Sequence, residues 1–205
     1  MNILFLLLNM DENTSSMYTD LIEEFRDNGH KVIVIAPCEK KTYLSEERGI
    51  RVLRVKAIKT LGVSSMIKKG IGLALLPYFF KRAYKVYLNE ESFDWIFMPT
   101  PPITLIDFVE YLKKKTNAKF YLILRDIHPQ SAASIGLIKY KFIYNYLAKR
   151  ARKGYEISNL IGCMSNGNID YIIKHYPDLD KNKLVLLMNW QKDKGYKLPI
   201  NNIRE

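Results

Sequence analysis

The sequence predicts an α/β fold: a parallel sheet of about seven strands with helices on both faces. Two observations carry this. Short apolar runs alternate with segments of helical spacing along the first 190 residues. The first of these alternations, residues 3–36, reads strand, loop, helix, strand, which is the parallel crossover unit. The composition agrees, at 48% hydrophobic and 26% charged over 205 residues, and excludes global disorder and low-complexity scaffolds.

Residues 3–8 are continuously apolar, as a strand buried on both faces must be. The polar stretch 9–16 follows. Tyr18, Leu21, Ile22 and Phe25 then recur at helical spacing, with Ser15 or Ser16 placed to cap the helix and Gly29 to end it. Residues 31–36 form a second strand stopped by Pro37. Residues 39–50 read as charged and irregular, and 51–55 as a short strand. Residues 63–89 read as helical, broken or kinked at Pro77. Residues 93–98 are a strand, and Pro102 is placed to be the first residue of the next helix. Residues 119–124 are a strand, 125–130 a polar turn, and 139–157 a basic, tyrosine-rich helix whose Phe142, Ile143, Tyr146 and Leu147 face the core in part. Residues 160–164 are a strand, Ser165 caps a helix ended by Pro177, and 184–187 are the last strand. Residues 191–205 read as a polar tail or interdomain linker beyond a domain of 1–190.

The formal charge is +11, and its location is informative. Residues 62–88 carry Lys68, Lys69, Lys81, Arg82 and Lys85, and residues 139–154 carry six more cations; neither stretch contains an acid. The rest of the chain is balanced at 21 against 21. Both stretches are rich in apolar and aromatic residues, which suits a membrane surface. The five cations of 62–88 are read as facing it, because 71–80 are apolar nearly all round. Nucleic acid ranks below that reading, and the bland alternative is a pair of ordinary surface helices. The ten-residue run 71–80 falls short of the about 20 residues a spanning helix needs. The N-terminus lacks the basic region and cleavage site of a secretory signal.

Two cysteines, Cys38 and Cys163, cannot build a disulfide framework, and both read as buried thiols in a reducing cytoplasm. Three scattered histidines indicate no metal site, and no cofactor motif appears: neither the G-x-G-x-x-G nor the P-loop pattern is present. Ligands of open parallel sheets bind at the carboxyl ends of the strands. That rule nominates the loops 9–16, 37–40, 99–102, 125–130 and 164–168. The densest polar cluster is Arg125-Asp126-Ile127-His128-Pro129-Gln130. There Arg125 suits a phosphate, Asp126 a sugar hydroxyl, and His128 a proton near neutral pH. An Arg–Asp pair that only orders the loop is the competing reading.

Several segments together resemble the N-terminal half of GT-B glycosyltransferases of family 4, in particular those that build capsular and other surface polysaccharides. They are Met17-Tyr18-Thr19-Asp20-Leu21, Asn28-Gly29-His30-Lys31-Val32, Thr100-Pro101-Pro102, the 125–130 cluster, Cys163-Met164-Ser165 and Leu187-Met188-Asn189. The resemblance implies a Rossmann-like acceptor domain, one half of a GT-B fold, whose acceptor is a saccharide on a polyprenyl carrier. The nucleotide-sugar donor would be held by a second domain. The residues it assigns to substrate contact are Ser15, Ser16, Tyr18, Thr100, Pro101, Arg125, Asp126, His128, Gln130, Ser165 and Asn166. Three features depart from the family pattern: 11–16 lack a glycine-rich turn, Arg125 stands where a histidine is common, and His128 where an aromatic is common. No catalytic role is carried over. The resemblance further implies a hexosyltransferase-type fragment or subunit, inactive by itself, at the cytoplasmic face of the membrane. It reads the chain as ending where the family crosses into its donor domain: a truncated product, an expressed fragment, or one half of a split enzyme. A non-catalytic membrane-surface module of the same fold is the alternative.

Overall fold

A computed structural model describes residues 1–11, 14–60, 62 and 64–191. Its strands are β1 (Asn2–Leu6), β2 (Lys31–Cys38), β3 (Tyr43–Glu47), β4 (Ile50–Lys56), β5 (Trp95–Thr100), β6 (Lys119–Leu124), β7 (Leu160–Cys163) and β8 (Leu184–Leu186). They form one sheet in the order β3-β4-β2-β1-β5-β6-β7-β8, parallel except for the β3–β4 pair. The helices are α1 (Met17–Asp27), α2 (Met66–Tyr87), α3 (Ile106–Thr116), α4 (Gln130–Ser134), α5 (Lys141–Ile157) and α6 (Asn166–His175). Short 3₁₀ turns precede α3 at Ile103–Leu105 and β8 at Lys181–Lys183.

The strand order reverses once. The chain steps from β1 outward to β2 and β4, then returns through α2 to β5 on the other side of β1, and proceeds outward to β8. Right-handed crossovers in opposite directions put their helices on opposite faces. Accordingly α1 packs with Phe5, Val34 and Val52 on one face, while α2, α3, α5 and α6 cover the other. The switch point lies between β1 and β5, and open α/β sheets bind ligands outside the carboxyl ends of the strands at such a point.

The extra strand is β3, which lies in the stretch read as irregular. It joins β4 through Arg48 and Gly49, both at positive φ (54° and 68°), the backbone a two-residue hairpin turn requires. Its sequence, Tyr43-Leu44-Ser45-Glu46-Glu47, buries only Glu47, so no apolar alternation announces it. An edge strand with an inward-pointing charge is poorly disposed to pair further.

Helix α2 runs without a break through Pro77. Leu76 and Phe80 pack into the core on either side of the proline and hold the helix through it. Pro102 is extended (φ −101°, ψ 124°) and precedes the 3₁₀ turn instead of opening a helix. Ser16 caps α1 and Ser165 caps α6, as their positions predict. Cys163 is buried, and burial pushes its thiol up to about 11. Cys38 is only half-buried, because it is the last residue of β2, at the rim of the sheet.

On the α1 face the rings of Phe5, Phe97 and Tyr121, register neighbours on β1, β5 and β6, stack at 5.0 and 5.1 Å. Tyr121 then reaches over Gly162 of β7. A Cβ there would stand 2.7 Å from the Tyr121 hydroxyl and 2.7 Å from the Leu187 side chain. Gly162 therefore lets Leu187 seat against the sheet, and the chain continues from it toward α1.

Candidate functional site

The site is assembled from the loops that follow β1, β5, β6 and β7. The first is anchored from below. Arg54 of β4 forms a buried ion pair with Glu47 and donates to the Met10 carbonyl at 2.7 Å. Burial opposes ionisation of Glu47, but hydrogen bonds from Arg54 and Ser45 outweigh it and hold the carboxyl below its usual range. This fixes the path from β1 into α1. At the start of α1, Ser16 Oγ accepts from the Thr19 N–H and Thr19 Oγ1 accepts from the Ser16 N–H, a reciprocal cap. Ser15 donates its hydroxyl to the buried Asp20.

Tyr18 then projects from the first turn of α1. The Arg125 guanidinium lies 5.9 Å from its ring centre, and the Trp190 indole meets the ring edge-on at 6.2 Å. The Trp190 indole N–H donates to the Met17 carbonyl at 2.6 Å. The chain after β8 thus returns across the sheet to close on the start of α1. Burial pushes the Tyr18 hydroxyl up, against the pull of Arg125. Trp190 is the residue that sequence reasoning missed: it is a single aromatic just past the last strand, and no period or motif marks it.

Thr100, at the end of β5, is 1% exposed, and its hydroxyl faces the carbonyls of Ile123 and Asp126 at 3.4 Å. It shapes the 125–130 loop and presents nothing to solvent, which corrects its reading as a substrate contact. Pro101 is exposed beside it. In the loop itself Arg125 and Asp126 are exposed, while His128 is half-buried. Burial lowers the His128 pKa, with Asp126 opposing, so the ring is neutral at pH 7. Gln130 of α4 hydrogen-bonds the Tyr176 hydroxyl. Ser165 Oγ accepts from the Asn168 N–H, leaving Asn166 exposed at the start of α6. Among the described residues, no group of three or more His, Cys, Asp or Glu side chains could hold a metal ion.

A depression of about 680 Å³ lies at the opposite end of the sheet, between the C-terminal ends of α3 and α5. Its lysines serve the fold. Lys113 donates to the Ile157 carbonyl and to Asn159, and Lys183 to the Glu156 carbonyl, capping α5. We place the site at the carboxyl ends because the strand order reverses there and Arg125, Tyr18 and Trp190 come together.

The cations read as membrane-facing lie along α2. Lys68, Arg82 and Lys85 are exposed, Lys69 is half-buried, and Lys81 leans over the Tyr111 ring of α3 at 4.1 Å. Among the described residues, no helix is long and apolar enough to cross a membrane.

No family model and no curated protein matches the sequence. Solved structures do match in fold. UGT89C1 of Arabidopsis thaliana complexed with UDP aligns at a TM-score of 0.56 and 12% identity, over 91% of this chain and 51% of that one. The fold is one half of a GT-B glycosyltransferase fold. The lipopolysaccharide outer core galactosyltransferase WaaB aligns at 0.53 and 11%, over 95% of this chain and 47% of its own. UGT71G1 of Medicago truncatula complexed with UDP-glucose aligns at 0.54 and 10%, over 97% and 53%. At such identities the likeness is one of fold. The chain spans about half the length of the structures it matches.

Proposed function

We propose that this chain is the acceptor-side half of a glycosyltransferase that moves a hexose from a nucleotide sugar to a lipid-linked saccharide, in the synthesis of a surface polysaccharide. The observation that carries the reading is the crevice at the β1–β5 switch point of a half-GT-B fold, where Arg125, Tyr18 and Trp190 converge. Arg125 offers a fork of donors to a phosphate, either of the carrier or of the leaving nucleotide. The half-buried rings of Tyr18 and Trp190 suit a sugar face, and the exposed Asp126 and Asn166 suit its hydroxyls. His128, neutral at pH 7, can accept a hydrogen bond from an acceptor hydroxyl. The attacking oxygen of the acceptor bonds to the anomeric carbon as the nucleoside diphosphate leaves. A donor-binding half facing this crevice completes the site, and no metal or cofactor enters the reading. The reaction belongs at the cytoplasmic face of the membrane, where nucleotide sugars and carrier headgroups meet.

The test is sugar transfer to a polyprenyl-pyrophosphate-linked acceptor from a panel of nucleotide sugars, with the purified chain alone and with membrane extract from its source. Transfer that needs the extract, and that falls when Arg125→Ala replaces the native chain, supports the reading. A folded chain that neither transfers sugar in either setting nor binds the lipid-linked acceptor removes it. A second reading, a non-catalytic module at a membrane surface, draws on the exposed apolar stripe of α2; it predicts vesicle binding without any transfer.

A further inference from the structure

The sequence reading placed Phe142, Ile143, Tyr146 and Leu147 partly in the core. The structure turns the first three outward. Phe142 is 71% exposed, and the residues leading into α5 are as open, with Ile135 at 72% and Tyr140 at 63%. Leu137, Ile143 and Tyr146 are exposed around them. This apolar corner has a counterpart on α2, where Ile67, Ile71, Leu75 and Tyr78 make an exposed stripe at helical spacing. Both helices lie on the same face of the sheet and both start at its carboxyl end. They flank the 103–105 turn, so the two patches sit beside the crevice.

The lysines nearest these patches lack ion pairs among the described residues. No acid occurs between Arg48 and Asn89 or between Ile127 and Tyr155. Farther along α5, Arg150 pairs with Asp107, Arg152 with Glu156 and Asp178, and Lys153 with Asp107 and Glu110. At the apolar corner, Lys139, Lys141 and Lys149 make no ion pair among the described residues, and neither do Lys68 and Lys69. Lys68, Lys69 and Lys141 also stand in first helical turns that contain no acid. There they oppose the helix dipole and weaken the helix. Cations held at a cost to their own helices, next to exposed aromatic side chains, fit a surface that is both anionic and apolar.

We propose that the 135–146 corner, together with the first turns of α2, inserts into the headgroup layer of an anionic bilayer. The aromatic and aliphatic tips enter the interface, and Lys139, Lys141, Lys149, Lys68 and Lys69 meet lipid phosphates. The crevice then opens at the bilayer surface. A second copy of the chain fits this surface badly, because it brings the same uncompensated cations. The inference deepens the reading of a lipid-linked acceptor, but it stands on surface chemistry alone.

The experiment uses the full chain and vesicles free of any saccharide, so its failure is distinct from failure of the sugar-transfer reading. The chain is expected to sediment with vesicles of equal parts phosphatidylcholine and phosphatidylglycerol, and not with phosphatidylcholine alone. Lys139→Gln/Lys141→Gln/Lys149→Gln is expected to weaken binding by roughly a hundred-fold, at about a tenfold loss or less for each lysine near the surface. Ile135→Ser/Phe142→Ser is expected to abolish the binding that survives high salt. Arg152→Gln, which removes a paired cation of the same helix, leaves binding unchanged. These side chains are exposed, and an unchanged circular dichroism spectrum checks that each variant folds. Equal binding to both vesicle types, or binding indifferent to the triple lysine variant, overturns the proposal. Concentration-dependent dimers without vesicle binding overturn it in favour of a protein partner.

Discussion

Replacing Arg54 by methionine removes one side chain and exposes the logic of the β3 edge. Arg54 and Glu47 are both largely buried, at 9% and 5% exposure, and Arg54 makes two hydrogen bonds to Glu47 and one to the Met10 carbonyl. Methionine fills most of the volume but leaves the carboxylate of Glu47 with only Ser45 Oγ as a donor, at 2.7 Å. Breaking a buried pair from one side costs ~3–5 kcal/mol. For a chain of this size that lowers the melting temperature by ~6–20 °C. The double variant Arg54→Met/Glu47→Leu removes both charges and leaves only the Met10 carbonyl unpaired, at about 1–2 kcal/mol. With Glu47→Leu alone costing as much as Arg54→Met, the coupling between the two sites is at least ~4 kcal/mol. The assay is urea unfolding of the four proteins of the cycle. The pH dependence gives a second readout. In the native protein Glu47 is held below the usual carboxylate range, so its stabilising effect is complete above about pH 4.5 and is lost as the pH falls through the lowered value. In Arg54→Met the lone buried carboxyl takes up a proton more readily, and the deficit shrinks toward pH 5. A single variant that loses less than about 1 kcal/mol, or a double variant as damaged as the single, refutes the reasoning.

Three further outcomes are expected. Gly162→Ala drives a methyl group into Tyr121 and Leu187, and costs ~1–3 kcal/mol in urea unfolding; because Leu187 leads to Trp190, the tryptophan emission shifts to the red. Ser165→Ala removes the cap of α6 and costs ~1 kcal/mol, and Ser16→Ala costs a similar amount at α1. His128 is held neutral by burial, so the unfolded chain takes up its proton first; stability falls as pH drops through about 6.5 toward the lowered value, and His128→Gln flattens that slope in thermal melts.

The sheet was legible in the sequence because six of its strands carry buried apolar residues and a seventh, β8, is apolar and half-buried, so that all seven read as apolar runs. The pattern failed where burial and hydrophobicity part company. In β3 the buried residue is a glutamate, matched by an arginine seven positions on, and a pair of opposite charges carries no period. At the start of α5 the reverse holds: of four apolar residues at helical spacing, Leu147 packs against the core while Phe142, Ile143 and Tyr146 point to solvent, so the spacing alone did not say which face inward. The loops of the site were legible as places, since the carboxyl ends of parallel strands locate them. Which side chain in each loop is free was not legible, because that depends on contacts such as the turn of Thr100 onto the carbonyls of Ile123 and Asp126.

Those contacts narrow what the crevice can do. The hydroxyls of Ser15, Ser16 and Ser165 cap helices or bind Asp20, and Thr100 is sealed under the loop. On the proposed reading, ligand chemistry passes to the groups that remain, a guanidinium, two aromatic rings, a neutral imidazole, an exposed carboxylate and an amide. Of these, Arg125 is placed by its own strand end and by the ring of Tyr18, and Tyr18 in turn is bracketed by Trp190, whose indole is tied to the backbone of α1. The order of dependence runs from Gly162 through Leu187 and Trp190 to Tyr18 and Arg125. Gly162 leaves room for Leu187, and this run of contacts ends at Arg125. Rigid placement of a cation beside aromatic faces is what the proposed recognition of a phosphorylated sugar would require.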